Sequence, residues 1–167
     1  YILSASRSAM GSYGGALSTL PATELGATAV KDALQKSGVS ENEIESIVMG
    51  IVLSANLGQA PARQASKEAG LPDKVCASTI NKVCASGMKA ISMLSNEIAL
   101  GDIQGGIAGG MESMSQVPFY VPNARFVLGY GNKSLVDGLA QDGLTDVYHQ
   151  SVMGISADLT AEKYAIS

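Results

Sequence analysis

Two copies of the pentapeptide KVCAS, at 74–78 and 82–86, hold the only two cysteines of the chain, Cys76 and Cys84. Two such thiols can pair, or one can serve as a nucleophile while the other stands by. The residues after each repeat tell them apart. After Cys76 the chain runs STINKV, in which Thr79, Ile80 and Val83 favour an extended strand. After Cys84 it runs SGMKAISML, and Ala90, Ile91, Leu94 and Ile98 recur at helical spacing. Cys84 therefore falls at a strand-to-helix junction, and Cys76 near the start of the strand before it. A straight strand at about 3.3 Å per residue holds the two roughly 26 Å apart. A disulfide needs Cα atoms within about 7 Å, so no bond is expected. A thiol at a helix N-terminus meets unpaired backbone N–H groups and the positive end of the helix dipole, both of which favour the thiolate. Gly87 leaves space for a substrate or a neighbouring loop to reach the sulfur. Cys84 is the candidate nucleophile, and Cys76 is expected to pack as a small apolar core side chain.

The elements that must hold this junction are read from patterning. Residues 1–5 read as a short strand before the glycine-rich turn MGSYGG. From Ala22, Leu25, Ala29 and Ala33 share one helical stripe with Val30 and Leu34 beside it, and Gly38 stands at the C-cap. Ser40 and Glu43 have capping-box spacing. Residues 47–53 are apolar and β-branched, as in a buried strand. Pro61 and Gly70 bracket a short amphipathic helix. A strand over 75–83, a helix over 85–100 stopped by Gly101, and a close-packed strand in GGIAGG from Gly105 complete the series. Strands alternating with helices predict an α/β fold with parallel strands joined by crossovers. From 111 to 167, prolines and glycines break the periodicity, and a loop-rich excursion is expected. LTAEKYAIS at the end reads as a helix that runs into the last residue.

The chain has 167 residues, 46% hydrophobic and 16% charged, which suits one domain with a real core. Eleven basic and fifteen acidic side chains give net −4, with no two basic residues adjacent. Neither a nucleic acid nor a membrane surface is an expected partner. No apolar run approaches the ~18 residues of a membrane span, and the start lacks the layout of a secretory signal. Two cysteines without that signal point to a reducing, intracellular setting.

INKVCASGMKAI at 80–91 resembles the acyl-enzyme segment of the thiolases. GQAPARQA at 58–65, GGMESMS at 109–115, and DGLTDVY at 142–148 followed by Met153-Gly154 are similar to other stretches of that family, in the family's order. The likeness is nearest to the branch that makes acetoacetyl-CoA, with a fungal cytosolic type. It implies the thiolase fold, layered α/β/α/β/α from two similar halves. Residues 1–110 would supply the first four strands and three helices of the N-terminal half, and 111–167 part of the inserted loop domain. The C-terminal half would be absent.

The resemblance also implies chemistry. The cysteine matching Cys84 takes the acetyl group of acetyl-CoA and releases CoA. A second acetyl-CoA, deprotonated at its methyl carbon, then attacks the acetyl-cysteine to give acetoacetyl-CoA, and thiolysis is the reverse. Leu144 and Met153 match positions lining the CoA and acyl pocket. The coenzyme A thioester is substrate, with no permanently bound cofactor and no metal. Dimers or tetramers of one chain are implied, in the cytoplasm, or in mitochondria had a leader preceded Tyr1. The family's activating histidine, water-holding asparagine and second cysteine belong to the missing half, so these residues alone are expected to be inactive. A degradative 3-ketoacyl-CoA thiolase, or a non-catalytic fragment binding a partner subunit, are the alternatives. Val152 stands where many relatives have histidine, Ser8-Ala9 where Thr-Pro is usual, and Ile51 where asparagine is frequent. His149 is expected to be an exposed loop residue, and Glu112 to accept structural hydrogen bonds.

Overall fold

Small side chains let the first helix lie close to the sheet. Helix α1 (Ala22–Ser37) buries Ala22, Thr23, Gly26, Ala27 and Val30, and ends at Gly38 with φ 70°. The expected stripe of Leu25, Ala29 and Ala33 is only half-buried. The helix has turned its smallest residues inward, against Met49 and Met111. This is a correction of the predicted face: close approach outweighs side-chain size where methionines fill the gap. Ser40 and Glu43 form the capping box, around a single 3-10 turn at Glu41–Glu43.

The computed structural model describes residues 1–127 and 129–167 and divides into two units, Tyr1–Gln116 and Val117–Ser167. In the first unit, β1 (Ser46–Gly50) lies between β2 (Cys76–Ile80) and β3 (Gly106–Gly110), all parallel, in the order β2-β1-β3. Helix α2 (Pro61–Glu68) precedes β2, and α3 (Ser86–Leu100) connects β2 to β3. Alternation along β1 sorts its side chains: Ile47 and Met49 join the cluster with α1 and α2, while Val48 packs with Ala90 and Leu94 of α3. Every residue of β1 is buried, as befits the central strand of an α/β/α sandwich. The glycines of β3 admit this packing, because a Cβ at Gly106 would lie 2.7 Å from Leu94 Cδ1.

Residues 1–10 do not form the expected strand. They run beside α1, where Ser4 Oγ donates to Ala33 O at 2.7 Å and Ser6 Oγ to Asp32. An extended segment becomes a strand only on a neighbour's free N–H and C=O groups, and this segment has found a helix. The strands at 46–50 and 76–80 are also shorter than the predicted 47–53 and 75–83.

The second unit is built from short pieces. β4 (Phe119–Tyr120) pairs antiparallel with β5 (Val136–Asp137), α4 covers Ala124–Val127, a π-helical turn spans Ala140–Leu144, and α5 spans Met153–Tyr164. Contrary to expectation, α5 closes before the last residues, at Ala165 with φ 50°.

Candidate active site

The strand ends decide where the cysteine stands. β2 stops at Ile80, and five residues, 81–85, carry the chain into α3. Val83 in that turn has φ 50°. A β-branched residue in the left-handed region costs about 1–3 kcal/mol and persists only where its surroundings impose it. Here they do. Asn81 Oδ1 accepts the Val83 N–H at 2.8 Å. Ser86 Oγ accepts the Lys82 N–H at 2.8 Å and donates to Val83 O at 2.5 Å. Ser86 is 4% exposed, so its half of this clamp is anchored in the interior, while Asn81 and Val83 lie at the surface. Cys84 follows the strained residue directly and lies two positions before the first residue of α3.

Helix α3 begins without a side-chain cap at Ala85. Its first-turn N–H groups therefore give this end of the helix a positive character that no capping side chain offsets. Gly50, the last residue of β1, sets the approach: a Cβ there would lie 2.6 Å from both the carbonyl carbon and the Cβ of Ser86. The turn that carries Cys84 rests on the C-terminal edge of the sheet because position 50 has no side chain.

Both cysteines are free and exposed. The absence of a disulfide agrees with expectation, although a turn at Val83 replaces the last part of the straight strand that argued for it. Cys76 does not pack in the core as predicted. It pairs in register with Ser46 at the start of the edge strand β2, whose residues are exposed or half-buried.

Glu112 follows β3 and accepts two backbone N–H groups, Val52 at 2.9 Å and Leu53 at 3.2 Å. Its role is structural, as the sequence indicated. His149 is exposed, and its Nδ1 lies 2.5 Å from Asp146 Oδ2. That hydrogen bond, followed by the Tyr148 N–H, holds the Asp146 carboxyl below its ordinary value of 3.8.

Leu144 and Met153 lie in the second unit. Thr145 and Val152 form an isolated antiparallel bridge, flanked by Leu144, the last residue of the π-helical turn, and Met153, the first residue of α5. Both are partly exposed, at 37% and 42%. The bridge sets the segments that carry them side by side. Sequence reasoning passed over Asn81 and Ser86. An asparagine two residues before a backbone donor is an Asx-turn signature, and it was legible in NKV.

An α/β layered unit with a thiol on a strained turn at a helix mouth defines a class of protein suited to covalent nucleophilic chemistry. The chain belongs to the thiolase family: "Thiolase, N-terminal domain" matches residues 1–167. A probable acetyl-CoA acetyltransferase of Dictyostelium discoideum is 49% identical over 99% of this chain, and an acetyl-CoA acetyltransferase of Schizosaccharomyces pombe is likewise 49% identical over 99%. This chain spans 40% and 42% of those relatives' lengths. Among solved structures, Acat5 thiolase from Ascaris suum, in complex with coenzyme A, superposes with a TM-score of 0.93 at 42% identity, covering 100% of this chain and 43% of that one. The fold is the thiolase fold.

Proposed function

We propose that the polypeptide containing these residues transfers acetyl groups between coenzyme A thioesters, with Cys84 as the acyl carrier. The observation that carries this reading is the position of Cys84, on the strained Val83 turn at the uncapped N-terminus of α3. The Cys84 thiolate attacks the carbonyl carbon of acetyl-CoA. A C–S bond forms to the enzyme, the C–S bond to CoA breaks, and CoA leaves as a thiolate that is then protonated. The proton lost from the methyl carbon of a second acetyl-CoA goes to a base outside these residues. The resulting carbanion attacks the acetyl carbon, Cys84 departs as thiolate, and acetoacetyl-CoA is the product. Sulfur suits both halves of the cycle, because a thioester exchanges readily with a thiolate and stays activated. Main-chain N–H groups at the start of α3 are suited to steady the oxyanion of each tetrahedral intermediate.

Leu144 and Met153 contact the CoA or acyl part of the substrate in this reading, which rests on the family likeness and on their shared position beside the Thr145–Val152 bridge. Dimers or tetramers in the cytoplasm are part of the same proposal. The test is to incubate the full polypeptide with acetyl-CoA labelled in the acetyl group, quench it, and map the label by peptide mass spectrometry. Label on Cys84 is expected, together with a loss of turnover of more than about a thousandfold in Cys84→Ala. Label on another side chain, or none, removes the proposal.

A further inference from the structure

The C-terminal ends of the three parallel strands are laced together by side chains, and the lacing ends at the nucleophile. Beyond β3, Glu112 spreads its two oxygens over the N–H groups of Val52 and Leu53, just beyond β1, at 2.9 and 3.2 Å. The same Val52 residue presents its carbonyl to Asn81 Nδ2, just beyond β2, at 3.3 Å. Asn81 turns its other amide atom, Oδ1, to the N–H of Val83 at 2.8 Å. The order of contacts, β3 to β1 to β2, is the order of the strands in the sheet. We infer that Asn81, held by Val52 and through it by Glu112, is a positioning residue that keeps Val83 in its left-handed conformation and so aims Cys84 at the mouth of α3.

Neither residue touches the reacting atoms in this scheme. Asn81 spends both ends of its amide on the backbone, and Glu112 spends both oxygens likewise. Without the Asn81 oxygen, Val83 has one restraint fewer against relaxing to negative φ, and the residue that moves with it is Cys84. Ser86 holds the neighbouring peptide groups, so the turn loosens without collapsing. The inference rests on Cys84 being the reactive thiol, and its test is arranged to fail separately from that reading.

Measure on the full polypeptide the rate of carboxamidomethylation of Cys84 by iodoacetamide, with exposed Cys76 as internal reference. Compare Asn81→Ala in the parent and in Val83→Gly, where glycine adopts the left-handed conformation without strain. The Cys84 to Cys76 ratio is expected to fall about tenfold in the parent background but less than about threefold in the glycine background, since coupled residues lose additivity. Asn81→Asp keeps the acceptor for Val83 and is expected to retain more of the ratio than Asn81→Ala. Glu112→Gln is expected to show the same dependence on background with a smaller loss. Equal losses in both backgrounds, or none in either, overturn the inference. A merely structural role for Asn81 would lower the melting temperature without a rescue by glycine. Thiolysis of acetoacetyl-CoA, measured on the same proteins, keeps the two readings apart. The expected labelling pattern without turnover in the parent sustains the positioning role and removes the proposed function. Turnover with unchanged labelling ratios does the reverse.

Discussion

Asp146 and His149 show how a residue's chemistry depends on what reaches it. The sequence marks His149 as the single histidine, and the structure leaves it exposed, hydrogen-bonded to Asp146 across one turn. Asp146 also accepts the backbone N–H groups of Tyr148 and His149, each at 3.2 Å. Its carboxyl is depressed below 3.8, first by the His149 ring and then by the Tyr148 N–H. A depressed carboxylate adds order to the turn that is fully present above its ordinary value and is lost as pH falls through the lower folded value. The Tyr148 and His149 amide NMR signals should therefore respond to this carboxyl only below about pH 4. A titration of those amides by the carboxyl between pH 7 and 5 would contradict this. Cys84 is the converse case. Its place between a strand and a helix was legible in KVCAS followed by a helical pattern, but the left-handed Val83 was not. Valine is among the least suited residues for that conformation, and only the hydrogen bonds converging from Asn81 and Ser86 hold it there.

Helices announced their own ends. Gly38 and Gly101 terminate α1 and α3 in left-handed conformations, and Pro61 opens α2, all at the places their types predicted. The start of α2 still needs help from outside. Its N-cap, Ala60, offers no capping group, and the Ala62 N–H donates to Thr79 Oγ1 of β2 at 3.0 Å. A cap supplied by another element leaves no local trace. The same holds for the end of β1, where Gly50 looks like an ordinary strand glycine until α3 is packed over it. Gly50→Ala forces a methyl group against the backbone of Ser86. The expected cost is about 1–3 kcal/mol on chemical denaturation, from overpacking against main chain that cannot yield as a side chain can. If Cys84 is the proposed acyl carrier, activity should fall further than stability alone explains, because the displaced residues adjoin the Cys84 turn. An unchanged denaturation midpoint with full turnover would show that the contact is not tight.

The first unit leaves much apolar surface open. Met88, Ile91, Ile98 and Leu100 of α3 are exposed at 72, 50, 41 and 78%, although α3 also has a buried face of Ser86, Ala90 and Leu94. Strands β2 and β3 are the two edges of the sheet, without further strand partners among the described residues. A helix apolar on both sides and two free edges are features that proteins ordinarily cover. The chain spans about 40% of the length of its curated relatives. Residues 1–167 alone should therefore self-associate in light scattering and release no acetoacetyl-CoA from acetyl-CoA above a Cys84→Ala control; measurable condensation would refute this. Local pattern was enough for the α/β class and for the three helices of the first unit, and it set Cys84 at a strand-to-helix junction, because periodicity, capping and turn chemistry act within a few residues of themselves. Which face α1 buries, where residues 1–10 lie, how far each strand extends and what holds Val83 depended on partners distant in the chain. Strand pairing, close packing at glycine and clamping by remote side chains exist only once those partners have met.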